Sequence, residues 1–278
     1  MKNLLKTTYL AQWLACLGFL LLIAGCSDPS RDLEQWVELC EEHYTAKSYK
    51  VAYKHCDQAA KQGDAQSQYY LALMLYGNQI EQADKELASK WMEKSATRGF
   101  EKAIFHQTIS QLVSKSANVD KNKALEILQS YADKGDAVAQ YWMGNTFLFG
   151  YVEGKKSIIE AMQWFELSAA QSNYAAMNNL AWIKVSSSKS ELFEPAKGLE
   201  LALAVTEKYP ESHGYLDTLA AAYAANDEFE LAVSTQIKVI ELAKKSSCRD
   251  CQKDILAYYH QHLENYRNKK PLEEDLLK

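Results

Sequence analysis

Gly63-Asp64-Ala65-Gln66-Ser67-Gln68-Tyr69 returns along the chain as Gly135-Asp136-Ala137-Val138-Ala139-Gln140-Tyr141. Between them lies a weaker copy, Gly99-Phe100-Glu101-Lys102-Ala103-Ile104-Phe105, and after them comes Ser172-Asn173-Tyr174-Ala175-Ala176-Met177-Asn178. The anchors Gly63, Gly99, Gly135 and Ser172 are spaced 36, 36 and 37 residues apart. An alanine stands eleven residues before each anchor (Ala52, Ala88, Ala124, Ala161), and another three before (Ala60, Ala96, Ala132, Ala169). A fixed period of roughly 20 to 50 residues marks a repeat protein, whose units bury their apolar faces by stacking on one another.

Each anchor is flanked by helical patterns. In Asp84 to Arg98 the small or apolar positions Leu87, Ala88, Trp91, Met92, Ser95 and Ala96 fall on one face at the three-and-four spacing of a helix. The same face recurs as Ala124, Ile127, Leu128, Tyr131, Ala132 and as Ala161, Trp164, Phe165, Ser168, Ala169. Glycine at 63, 99 and 135 stands where a helix must stop, because it adopts the left-handed terminal turn without steric cost. After each anchor, small residues at the fourth position (Ser67, Ala103, Ala139, Ala176) and the ninth (Ala72, Thr108, Gly144, Ala181) let neighbouring helix axes approach closely. No stretch shows the alternating, β-branched pattern of a strand, and no proline falls inside a proposed helix interior. The expected fold is all-α, a right-handed solenoid of αα-hairpins.

The pattern resembles Sel1-like repeats. Their consensus pairs a Gly-Asp-Ala-x-Ala-Gln-Tyr helix start with a Gly-x-Gly-Val loop and a Lys-Ala-x-x-Trp-Tyr-x-x-Ala-Ala second helix. The copy from Gly135 follows it through Phe149-Gly150-Tyr151-Val152 and Ala161 to Ala170, with Val152 in place of the second loop glycine. The Gly99 copy is degenerate, with Gln107 and Gln111 at positions usually apolar. From Tyr215 to Ile237 the chain instead resembles a tetratricopeptide repeat, with Ala220 and Ala232 at its close-contact sites. The expected organisation is a signal at 1–25, a tether at 26–34, Sel1-like repeats at 35–190, a tetratricopeptide-like region at 191–247, and a capping helix with a charged tail at 248–278.

The N-terminus reads as a separate object. Lys2 and Lys6 precede a nearly apolar run from Thr7 to Gly25, the form of a secretory signal. Its end, Ile23-Ala24-Gly25-Cys26, resembles the lipobox of bacterial lipoproteins. That resemblance implies cleavage before Cys26 and lipidation of its thiol. By the same resemblance, Ser27 after the cysteine implies the periplasmic face of the outer membrane rather than the inner membrane. An uncleaved membrane anchor and simple secretion are the alternatives, since about 19 apolar residues nearly span a bilayer. Removing residues 1–25 takes two of the 31 basic side chains and none of the 36 acidic ones, so the mature chain is more negative than the full sequence at −5. Such a charge argues against a nucleic-acid partner, whose phosphates are neutralised by Lys and Arg.

Four further cysteines would remain in an oxidising compartment: Cys40, Cys56, Cys248 and Cys251. They permit three connectivities, and the expected one is Cys40 with Cys56 and Cys248 with Cys251. The first would close a loop across the N-terminal hairpin, an effect of about 3 kcal/mol in the chain-entropy model. Cys248-Arg249-Asp250-Cys251 also has the spacing of a redox motif or of half a zinc site. No strand is there to build a thioredoxin-like site, and only His260 and His262 stand near in sequence as further ligands. Ser186-Ser187-Ser188-Lys189 has the Ser-x-x-Lys spacing of penicillin-binding enzymes, and cysteine-rich Sel1-like proteins have been linked to penicillin binding as a family. Its companion segments are missing here, so a solvated loop is the reading preferred. No cofactor and no metal site are expected.

What remains is surface. Tyr70, His106, Trp142 and Asn179 lie seven residues after the anchors, and Leu73, Ile109, Asn145 and Trp182 lie ten after. On the first helix of each hairpin these positions would line a concave face, where solenoids bind peptides or protein segments. The competing reading places them in the core between repeats. The expected function is a lipid-anchored, non-catalytic adaptor that binds a protein or peptide of the cell envelope, and the alternative is a penicillin-binding or cell-wall-acting enzyme.

Overall fold

A computed structural model describes residues 29–77, 79–186, 191–245 and 249–273, the side chains of 29–31 and 249–252 excepted. Among the described residues there are thirteen helices and no strand. They are α1 (Pro29–Thr45), α2 (Tyr49–Lys61), α3 (Ala65–Tyr76), α4 (Lys85–Thr97), α5 (Glu101–Val113), α6 (Lys121–Asp133) and α7 (Ala137–Phe149). Then follow α8 (Ile158–Ala169), α9 (Tyr174–Val185), α10 (Pro195–Lys208), α11 (His213–Ala225), α12 (Phe229–Lys244) and α13 (Arg249–Arg267). The chain forms two compact units, the first running to Gln107 and the second from Thr108, so the division falls inside α5.

The repeat motif specifies the end of one helix and the start of the next. Asp64 caps α3 by accepting from the Ser67 amide at 2.6 Å, and Asp136 caps α7 by accepting from the Ala139 amide at 2.7 Å. Before each cap the chain turns through a left-handed residue, with φ of 99° at Gly63, 85° at Gly99 and 88° at Gly135. A side chain at Gly99 or Gly135 would meet nothing, so there the turn alone requires glycine. Ser172 takes the same turn at φ 64° with a side chain in place.

The first unit buries Ala52, Ala60, Leu71, Met74, Ala88 and Ala103 around the disulfide between Cys40 and Cys56, which joins α1 to α2. The second buries Ala181, Val185, Ala202, Ala220, Ala232 and Tyr266. Small residues set the helix spacing, as at Gly144, where a β-carbon would overlap the ring of Phe165. Ser95 and Ser168, read from sequence as small face positions, are also donors. Ser95 Oγ reaches the Ala65 carbonyl at 2.5 Å and Ser168 Oγ the Ala137 carbonyl at 2.6 Å, tying second helix to first in both units.

Two expectations are corrected. Residues 26–34 are not a tether throughout, because α1 begins at Pro29; proline suits a first helical position, where its missing amide hydrogen is no loss. Ser186 is not in a solvated loop. It is fully buried at the end of α9, and its hydroxyl donates to the Trp182 carbonyl at 2.6 Å. The connection that follows is fastened by Lys184, a buried lysine whose Nζ lies 2.5 Å from Glu194 Oε1.

Candidate interaction surface

The residues seven and ten positions past the anchors divide between the two units. In the first unit Tyr70 is buried, stacks on Tyr44 at 4.4 Å and donates its hydroxyl to Glu41 Oε1 at 3.3 Å. Burial and the neighbouring Glu41 carboxylate both push its pKa up. Tyr70 is therefore core between α1 and α3. His106 is exposed at the first unit's end of α5, its ring 5.6 Å from that of Tyr69.

In the second unit Trp142, Asn179 and Trp182 are half-buried on the successive first helices α7 and α9. Asn179 Nδ2 donates to Asn145 Oδ1 at 3.0 Å, a side-chain bond from one repeat to the next. Such a bond fixes the register of the two helices and leaves amide groups beside the two indoles. The sequence pattern identified Asn145 by position alone, since nothing in one strand of sequence shows that two asparagines 34 residues apart meet. Asn178, the preceding residue on α9, has a buried Oδ1 without a hydrogen-bond partner.

Beyond Trp182 lies a polar knot that the sequence pattern missed. His262 of α13 is buried and its Nδ1 stands 3.0 Å from Asp217 Oδ1 on α11. Gln236 of α12 donates to the same Asp217 oxygen at 2.8 Å and to the Tyr259 carbonyl at 3.2 Å. His213 Nδ1 meets Tyr259 Oη at 2.9 Å, and burial together with Asp217 raises the tyrosine pKa. Trp182 faces His262 with ring centroids 6.2 Å apart. One carboxylate thus fastens three helices beside the half-buried Trp182. His260, one turn-face away from His262, is exposed, so the two histidines diverge.

Cys26, Cys248, the side chain of Cys251, and Lys189 of the Ser-x-x-Lys motif lie outside the described residues. Among the described residues no helix is long and apolar enough to cross a membrane.

The helix pairs and their repeated caps define the class: an all-α repeat solenoid. The Sel1 repeat model matches residues 42–64, 65–100 and 137–173. The stretch left unmatched between them contains α6 and the degenerate α5. Among solved structures the chain is similar to a Sel1 repeat protein from Oxalobacter formigenes at 17% identity and a TM-score of 0.55, covering 84% of this chain and 97% of that one. It is also similar to a protective antigen present in uropathogenic Escherichia coli strains that displays an SLR fold, at 19% identity and a TM-score of 0.52, covering 82% of this chain and 54% of that one. No curated protein matches the sequence. Sel1-repeat proteins generally mediate protein–protein interaction.

Proposed function

We propose that this chain is a lipid-anchored adaptor at the periplasmic face of the outer membrane, binding a protein segment of the cell envelope along the first helices of its second unit. The observation that carries the binding role is the row Trp142, Asn179 and Trp182, half-exposed and held in register by the Asn145–Asn179 hydrogen bond. Indoles supply contact area at low entropic cost, and the half-buried Asn179 adds an amide for polar contact with a peptide backbone. The anchor rests on the lipobox-like Ile23 to Cys26 and on the apolar run before it. A nucleophilic role for Ser186 finds no support in a hydroxyl that is buried and donated to its own helix.

Two experiments test the reading. A photo-crosslinking residue at Trp142 should capture one envelope protein in growing cells, the product should vanish with Trp182→Ala, and the same crosslinker at the exposed Ile159 of α8 should not form it. Identical products from both positions would overturn the surface. Cys26→Ser should move the protein from the membrane to the soluble periplasmic fraction, and continued membrane residence would overturn the lipid anchor.

A further inference from the structure

The first unit contains a cavity of about 460 Å³ between α2, α3 and α4, lined by Lys61, Gly63, Gln68, Trp91, Lys94 and Arg98 among others. Its meaning emerges from a second copy of the same corner in the other unit. There Gln140 Nε2 donates to the Ala132 carbonyl at 3.2 Å, while its Oε1 accepts from Gln171 Nε2 at 2.8 Å. Gln171 Nε2 also lies 2.9 Å from the Gly135 carbonyl, so the corner is closed by the protein itself.

In the first unit Gln68 begins the same way, with Nε2 donating to the Ala60 carbonyl at 3.0 Å. Its Oε1 is buried and has no partner among the described residues. The residue at the place of Gln171, one before the anchor, is Arg98, whose guanidinium lies over Gly63, about 3.1 Å from where a β-carbon would stand. An unpaired buried acceptor is costly, and among the described residues no donor reaches this one. Two groups of the corner are already engaged: Lys61 is paired with Asp57 at 2.7 Å, and Lys94 sits over the Trp91 ring at 4.3 Å. The Arg98 guanidinium makes no hydrogen bond or ion pair among the described residues.

We propose that this cavity binds the C-terminal residue of a peptide, with the last backbone N–H donated to Gln68 Oε1, the carboxylate held by Arg98, and the side chain laid against Trp91. A buried acceptor and a fork of donors at one corner match an N–H and a carboxylate separated by one Cα, because a planar guanidinium takes a carboxylate bidentately. Phosphate or sulfate brings no N–H for Gln68, and Glu93 at the same wall opposes a multiply charged anion. Trp91 lines the same wall, and the part of its indole that Lys94 leaves uncovered offers apolar surface to the last side chain. None of these residues belongs to the surface proposed above, so the two readings stand or fall separately.

The test is fluorescence polarisation on the full chain in detergent, with fluorescein-labelled Gly-Gly-Gly-Leu as the free acid and as the C-terminal amide. The acid should bind at least tenfold more tightly than the amide, a difference of about 1.4 kcal/mol. Arg98→Gln restores the arrangement that the other unit already folds with, and should abolish acid binding while leaving the helical circular dichroism and melting intact. Equal binding of acid and amide, no binding of either, or unchanged binding by Arg98→Gln would overturn the proposal. Competition by free leucine as strong as by acetyl-Gly-Gly-Leu would replace the peptide with an amino acid and overturn it as well.

Discussion

Ser172 shows what the repeat demands of one residue. The left-handed turn that glycine makes at 63, 99 and 135 is made here by a serine at φ 64°. An L side chain in that region costs about 1–2 kcal/mol, partly offset because glycine loses more freedom on folding. Ser172→Gly should therefore raise stability by about 1 kcal/mol, and Gly135→Ser should lower it by a similar amount, both measured by urea unfolding. Asp217 is the opposite case, a residue whose neighbours decide its importance. Asp217→Ala leaves buried His262 without its partner and Gln236 with the Tyr259 carbonyl alone, a loss of about 2–3 kcal/mol. Hydrogen exchange should locate that loss in α13, and a loss spread evenly over the second unit would count against the polar knot.

At the scale of elements, α1 and α2 are joined by more than their disulfide. His55 lies between Trp36 and His43, with ring centroids 5.2 and 5.4 Å away. Burial, then the positive charge of His43 and Lys54, lowers the His55 pKa below 6.5. The unfolded chain thus takes up a proton before the folded one does as pH falls, and the folded state prefers neutral His55. The stabilisation is whole above pH 6.5 and is lost as the pH drops through the folded pKa. The melting temperature of the native chain should fall between pH 7 and 5 more steeply than that of His55→Phe, and parallel pH profiles would refute the assignment. The polar tie of Gln68 back to the Ala60 carbonyl and of Gln140 to the Ala132 carbonyl shows the same logic in a repeating element: the motif glutamine closes the turn it follows.

At the scale of the molecule, stability in a stack of repeats passes between neighbours, so a staple acts on the unit that contains it. Reducing Cys40–Cys56 should cost about 3 kcal/mol, from a sequence separation of 16 residues. Exchange protection should be lost among residues up to Gln107 while those from Thr108 keep theirs; equal loss in both units would mean that the staple acts elsewhere. The division of the chain inside α5 coincides with the degenerate Gly99 copy, where Gln107 and Gln111 replace apolar residues. By itself the sequence determined the helices, their caps and turns, the small-residue ladder and the solenoid class, because these depend on near neighbours and recur at a fixed period. Only the tertiary structure decided which surface positions are core. Tyr70 and Trp142 share a place in the repeat, yet Tyr70 is sealed by Tyr44 and Glu41 while Trp142 remains half-exposed. It likewise joined Asp217 to His262 and left the Gln68 oxygen without a partner among the described residues where that of Gln140 is satisfied, since each outcome depends on a side chain brought in from another helix.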